Sequence, residues 1–356
     1  MRHRQSLLTL SLSFVLACSS ARHEESLGKS AAPIVGGTPS GADQNAVVAV
    51  IAVGGLCTGT LVAPNLVVTA RHCVSKINAA AAFGCKSDGT VVSADPQAGK
   101  LGADVPVERL TIFTGPAEPS VAMRAVRVDA RVKAIVHDGA ATLCGHDIAF
   151  LVLDRELSLP VAKLRKAPPA SGETLTVVGY GIDATGSFPA TRLQRATTVL
   201  RVGPLDTATG AGLTADALLM SEGNCDGDSG GPGFASDGTL VSLDSEGASS
   251  GKGNSGCEGS QEIATIVSAH PQLIAMAFAT AGQPLPFADQ DDAGPLLPDA
   301  AAGDSNVTPT PVATPVSSCS QTPTRRVADA PLAAATALAI VVVARAGRRR
   351  RGYGTG

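Results

Sequence analysis

Val47-Val48-Ala49-Val50-Ile51-Ala52-Val53-Gly54-Gly55-Leu56-Cys57-Thr58-Gly59-Thr60-Leu61-Val62-Ala63-Pro64-Asn65-Leu66-Val67-Val68-Thr69 is the stretch that decides the fold class. It holds three short β-branched or apolar runs, 47–53, 60–62 and 66–69, bounded by the turn formers Gly, Pro and Asn. The same rhythm continues in runs 126–128, 148–153, 175–178 and 240–243. Only Pro271, Leu273, Ile274, Ala277 and Phe278 fall at the i, i+3/i+4 spacing of a packed helix. Composition agrees: 356 residues include 39 Gly and 23 Pro, with 17% charged, 3% aromatic and no Trp. That is too rich in turns and too poor in charge for a coiled coil or helical bundle. A net charge of −3 argues against nucleic-acid binding, which needs a basic face. The expectation is an all-β chain, a pair of β-barrels with a closing C-terminal helix.

The two ends stand apart from this core. Residues 1–18 place Arg2, His3 and Arg4 before the apolar run 7–17, the layout of an export signal, and that run is shorter than the roughly 20 residues of a spanning helix. Val15-Leu16-Ala17-Cys18 resembles a bacterial lipoprotein signal, whereas Ser19-Ser20-Ala21 offers an ordinary signal-peptidase site. Cys18 is therefore either a lipidated first residue or lost with the signal. Residues 283–329 are rich in Pro, Ala, Asp and Thr and read as a disordered linker. Residues 330–356 hold an apolar run, 330–344, followed by Arg345, Arg348, Arg349, Arg350 and Arg351.

With Cys319, this ending resembles the tripartite sorting tails of the myxosortase-type system (the MYXO-CTERM class). The resemblance implies processing at Cys319 by a sorting machinery, with the arginines held on the cytoplasmic face. A plain single-span anchor is the alternative, for which the apolar run is short. On either reading the middle of the chain is exported, to the cell surface or outer membrane, with a released soluble form as a variant.

Six cysteines remain between the ends: Cys57, Cys73, Cys85, Cys144, Cys225 and Cys257. An even number in an exported domain suggests disulfides, and no CxxC or HxxxH spacing favours zinc. Cys57 and Cys73 lie at the ends of one expected hairpin. Cys225 and Cys257 flank a glycine-rich segment. Pairing those leaves Cys85 with Cys144.

Three motifs carry the chemistry. Thr69-Ala70-Arg71-His72-Cys73 ends an apolar strand, Asp147-Ile148-Ala149-Phe150-Leu151-Val152-Leu153 opens one, and Gly227-Asp228-Ser229-Gly230-Gly231-Pro232 is a glycine-flanked serine. A hydroxyl is a poor nucleophile unless an adjacent base takes its proton, and the base needs a buried acceptor to fix its tautomer. Glycines beside the serine let the N–H groups of Gly227 and Ser229 face a developing oxyanion. His137 and His146 also lie near Asp147 in sequence. Both are expected at the surface, with His146 pointing away from its neighbour.

Together with Ile34-Val35-Gly36-Gly37, these motifs resemble the chymotrypsin/trypsin family of serine endopeptidases over residues 34–282. The resemblance implies two antiparallel six-stranded β-barrels with a C-terminal helix. It implies His72 as general base and then acid, Asp147 as its orienter, and Ser229 as the acyl-forming nucleophile. It also implies a zymogen with propeptide 19–33, cut before Ile34 by an activating protease, after which the Ile34 α-amino group pairs with Asp228. Gly179-Tyr180-Gly181 stands where the family has Gly-Trp-Gly, and Ser242 where a serine backs the triad carboxylate. The partner is a protein or peptide substrate, and no cofactor or metal is implied.

Three departures qualify the likeness. Arg71 replaces a small residue before His72, and either projects outward or crowds the site. Pro33 occupies the cleaved position, where Ala31-Ala32-Pro33 suits an elastase-type or proline-tolerant activator better than a basic-specific one. In the specificity pocket Gly223, six residues before Ser229, supplies no acid, which favours small or medium apolar residues. Asp244 either narrows that pocket or brings a carboxylate to its mouth. A catalytically silent homologue, binding partners at the cell surface with the same barrels, is the competing reading.

Overall fold

The β-runs 47–53, 60–62, 66–69, 148–153, 175–178 and 240–243 fall on strands of two barrels. The structure is a computed structural model, and it describes residues 33–52, 55–77, 82–117, 128–183, 185–207, 211–247 and 257–285. The signal, the linker from residue 286 onward and the tail, with Cys18 and Cys319, lie outside the described residues, as does the propeptide apart from Pro33. The first barrel comprises β1 (Val47–Ala52), β2 (Gly55–Ala63), β3 (Leu66–Thr69), β4 (Thr111–Phe113), β5 (Ala130–Val136) and β6 (Ala149–Leu153). It closes in the order β5-β6-β3-β2-β1-β4, every pairing antiparallel.

The second barrel comprises β7 (Thr174–Gly179), β8 (Leu193–Val202), β9 (Ala217–Met220), β10 (Pro232–Phe234), β11 (Leu240–Gly247) and β12 (Glu262–Ile266). It runs β8-β7-β10-β11-β12-β9 and closes where β9 returns to β8. The helix α1 (Pro271–Ala281) follows. The fold is thus two closed six-stranded antiparallel barrels with a C-terminal helix.

The burial pattern of β6 explains why its sequence is apolar without alternation. Successive side chains of a strand point to opposite faces. Ala149, Leu151 and Leu153 enter the first barrel with Val48, Leu61 and Val67, whereas Phe150 and Val152 pack outward against Leu273, Ile274, Ala277 and Phe278 of α1. Pro271 opens that helix, where its missing N–H costs nothing. Gly282 ends it at φ 68°, and Gln283 N–H bonds back to Phe278 O at 2.9 Å. Among the described residues no helix is long and apolar enough to cross a membrane.

One expected strand is displaced. Residues 126 and 127 lie outside the described residues, Val128 is not in a strand, and β5 begins at Ala130. Asp129 sets that start: its carboxylate accepts both the N–H (2.7 Å) and the hydroxyl (2.8 Å) of Thr114, leaving Ala130 opposite Ile112.

The three disulfides are Cys57–Cys73, Cys85–Cys144 and Cys225–Cys257, the pairs expected from the sequence. Between the barrels, Tyr180 Oη donates to Gly115 O (2.6 Å) and lies 3.2 Å from Val47 O. The fully buried Arg192 reaches Val47 O (2.7 Å) and Ser40 Oγ (2.7 Å).

Candidate active site

His72 sits in a single 3-10 turn, Arg71–Cys73, that ends β3 and is stapled by the Cys57–Cys73 disulfide. Asp147 enters from the segment just before β6, which pairs with β3, so adjacent strands deliver the two groups. His72 Nδ1 lies 2.8 Å from Asp147 Oδ2, and the His72 N–H donates to Oδ1 at 2.9 Å. The same carboxylate accepts the Ser245 hydroxyl at 2.5 Å, and Thr265 Oγ1 donates to the Asp147 carbonyl at 3.2 Å. Burial alone would raise the Asp147 pKa, but the His72 charge and these hydrogen bonds hold it below the usual carboxylate value. Burial alone would lower that of His72, yet Asp147, with Glu246 and Asp244 behind it, pushes the imidazole up to about 9.

Ser229 arrives from the second barrel, on the loop before β10. Thr58 of β2 receives it: the Thr58 N–H donates to Ser229 O at 2.9 Å and the Thr58 hydroxyl to Gly227 O at 2.9 Å. Thr58 Oγ1 also accepts the Tyr180 N–H at 3.2 Å. The Gly following the serine is obligatory, because Gly230 has φ +78° and a Cβ there would stand 2.1 Å from Thr69 Oγ1. Ser229 Oγ forms no hydrogen bond to His72 among the described residues, a looseness common when substrate is absent.

Asp228 is buried beneath the serine loop. Its carboxylate accepts the N–H groups of Gly181 (2.8 Å) and Cys225 (2.9 Å). A Cβ on Gly181 would come within 2.5 Å of Asp228 Oδ2, which is why Tyr180 is followed by glycine. Burial pushes Asp228 up to about 8, and the neighbouring charges of Asp244 and Asp226 share its sign. Ile34 is fully buried among Leu175, Leu193 and Val199 of the second barrel, and in the continuous chain its nitrogen is an amide.

Ser242 does not back the triad carboxylate. It is completely buried, its hydroxyl has no hydrogen-bond partner among the described residues, and Ser245 takes the place expected for it. Ser242 is regularly paired with Ile266, and Ser245 is the extra residue at an irregularity in the β11–β12 ladder between Asp244 and Glu246. Such a break changes which side chains face the neighbouring barrel. Ser245 and Glu246 line a cavity together with Asp147 and Thr265.

Asp244 lies behind the serine, its backbone paired with Gly230 and Gly231, and its Oδ1 accepts Asn224 Nδ2 at 2.7 Å. Asp244 stands opposite Ala264, two residues from Glu262, so the two acids share one face of the sheet as diagonal neighbours. Gly223 is buried beside Asn224 and backs onto Val177 and Thr197. Burial raises Asp244 to about 7 and Glu246 to about 8, and burial with the Asp244 charge lifts Glu262 well above the usual carboxylate range. Gly223 is thus followed by Asn224, the partner of the buried Asp244, and Asp244 and Glu262 are acids buried close to one another. Asn224, Ser245, Glu246 and Glu262 have no motif of their own, and the ladder register is the signal that finds them.

Arg71 neither projects outward nor crowds His72. Its side chain is 4% exposed and pairs with Asp138 at 3.2 Å. His146 does turn away from Asp147 and is 40% exposed, whereas His137 is mostly buried against Asp104 at 2.9 Å. Cys57, His72 and Cys73 cluster within 4.8 Å, but the two sulfurs are joined in a disulfide and offer no thiolate to a metal.

A family model described as Trypsin matches residues 34–268. No curated protein matches the chain. Among solved structures it is similar to neuropsin, a serine protease expressed in the limbic system of mouse brain, with 17% identity and a TM-score of 0.49 over 69% of this chain and 100% of that one. It is also similar to a Glu endopeptidase solved in complex with MPD, with 18% identity and a TM-score of 0.47 over 69% of this chain and 99% of that one.

Proposed function

Because this chain belongs to the trypsin family and is a serine-type endopeptidase, we propose that it cleaves peptide bonds through an acyl-enzyme formed on Ser229, with His72 as base and Asp147 as its orienter. The observation that carries the assignment is the His72 Nδ1–Asp147 Oδ2 contact of 2.8 Å, reinforced by Ser245 on the same carboxylate. With Nδ1–H given to Asp147, Nε2 is left to take the Ser229 proton as Oγ attacks the scissile carbonyl. The N–H groups of Gly227 and Ser229 receive the oxyanion. His72 then returns the proton to the leaving amine, and water repeats the sequence to free the acid.

The chain is made as a zymogen. Cutting before Ile34 turns a buried amide into an ammonium, which supplies the positive charge that Asp228 lacks. The acidic wall formed by Asp244 and Glu262 favours a substrate with a cationic side chain, Lys or Arg, at the cleaved position, because a cation relieves the repulsion between two buried carboxylates. This replaces the apolar preference expected from Gly223. The protease domain spans residues 34–282 of an exported, surface-attached protein, with Cys18 as the lipidation candidate and Cys319 as the site of tail processing. The mass of the mature chain tests both ends.

The deciding experiment removes everything before Ile34 and treats the protein with a fluorophosphonate, expecting label on Ser229. An intact fold that stays unlabelled would instead support the silent binding homologue. Cleavage of a peptide library then reads the pocket, and selection of aliphatic over basic residues would remove the role given to Asp244 and Glu262.

A further inference from the structure

We infer that Asp138 is a positioning residue for the reaction, a single carboxylate that straps the residue before His72 to the residue before Asp147. This rests on the roles given above to His72 and Asp147. Arg71 precedes His72 in the turn Arg71–Cys73, and His146 precedes Asp147. Arg71 Nη1 lies 3.2 Å from Asp138 Oδ1, and His146 Nδ1 lies 2.5 Å from Asp138 Oδ2. The base and its orienter are thus bridged twice in parallel, once by their own contact and once by their neighbours through Asp138.

The strap is built into the fold. The Arg71 guanidinium is buried and its Nε has no partner among the described residues; its direct ion pair is Asp138, with the Asp104 charge also acting on it. Asp138 is fixed in turn by the Ala140 N–H, which donates to Oδ1 at 3.0 Å. Its neighbour His137 accepts the Gly139 N–H on Nδ1 at 3.0 Å, which leaves Nε2–H for Asp104 Oδ2 at 2.9 Å. Asp104 also accepts the hydroxyl of Ser75, three residues beyond His72, at 2.5 Å. The loop bearing Asp138 is therefore tied to both flanks of the His72 turn. Burial raises the Asp138 pKa, but the Ala140 N–H, His146 and Arg71 outweigh it and keep the group ionised. Neither nearby disulfide does this work, since Cys73 bonds back to Cys57 and Cys144 to Cys85.

The purpose of such a strap is distance control, because misplacement of a catalytic group by about 1 Å can cost on the order of 100-fold in rate. The test uses enzyme cleaved before Ile34 whose Ser229 reacts with a fluorophosphonate, which establishes the underlying roles independently. Asp138→Ala is expected to lower kcat about tenfold or more with KM within about twofold. It is also expected to move the acid limb of kcat/KM to lower pH, since Arg71 without its ion pair, offset by the Asp104 charge alone, disfavours the His72 imidazolium. Asp138→Glu should recover part of kcat. His146→Ala, which cuts one arm, should lower kcat less, and adding it to Asp138→Ala should cost nothing further. A folded Asp138→Ala enzyme with kcat within twofold of the parent and an unmoved acid limb overturns the inference. Where that variant fails to fold, an unchanged kcat and acid limb in His146→Ala overturn it.

Discussion

Around His72 three acids each have a partner: Asp147 meets the imidazole, Asp138 meets Arg71, and Asp104 accepts the His137 Nε2–H and the Ser75 hydroxyl. Beneath and beside Ser229 the reverse holds, with Asp228, Asp244 and Glu262 buried together and each raised in pKa by burial and by like charge. The first region is electrostatically complete within the folded chain. The second is short of positive charge, and under the proposed function two cations arrive from outside it: a new N-terminus at Asp228 and a substrate side chain at Asp244 and Glu262. The difference separates a scaffold for proton transfer from a receptor that responds to processing and to substrate.

The contrast breaks most severely if the complete region is dispensable. Ser229→Ala should reduce kcat by on the order of a millionfold and Asp147→Asn by about ten-thousandfold, in steady-state assays of the cleaved enzyme. Survival of substantial turnover in either variant would dissolve the distinction. On the unbalanced side, Glu262→Gln combined with Asp244→Asn should raise KM for basic peptides about 10–100-fold and leave kcat nearly unchanged, as expected for lost charged hydrogen bonds.

Asp228 sharpens the comparison through stability. Its carboxyl titrates at about 8 folded against an ordinary 3.8. Between those values the folded chain keeps a proton that the unfolded chain has released, so stability falls as pH rises across that window. The melting temperature of the uncleaved protein should therefore decline from about pH 4 to about pH 8. Cleavage before Ile34 should flatten the decline, and an equal slope in both forms would argue against the new ammonium reaching Asp228. The smallest effect is expected at Glu246, whose charge helps hold His72 at about 9. Activity needs the neutral imidazole and should rise with pH through that value. Glu246→Gln should move the rise to lower pH by a fraction of a unit in a kcat/KM profile.

Much of this was legible in the residues themselves. Local motifs marked His72, Asp147 and Ser229, because each lies next to residues that only its turn or strand would need, and strands 66–69 and 148–153 were visible as uninterrupted apolar runs. Ser245 was not legible. It and Ser242 occupy the same strand, and Ser245, which bonds Asp147, sits at the ladder irregularity between Asp244 and Glu246. Register of that kind depends on β12, which is distant in sequence. Arg71 failed for a related reason: its partner Asp138 is 67 residues away and has no motif. The acid pair Asp244 and Glu262 likewise exists only after β11 and β12 are laid side by side.

Thr58 joins the two barrels at the reactive serine, holding Ser229 O and Gly227 O from one side and taking the Tyr180 N–H from the other. Tyr180 and Arg192 tie the same two halves through Gly115 O, Val47 O and Ser40 Oγ, so Thr58 is the tie that reaches the serine loop itself. Thr58→Val should therefore loosen the serine loop and lower turnover while the circular-dichroism signal stays whole, because the remaining ties keep the halves together.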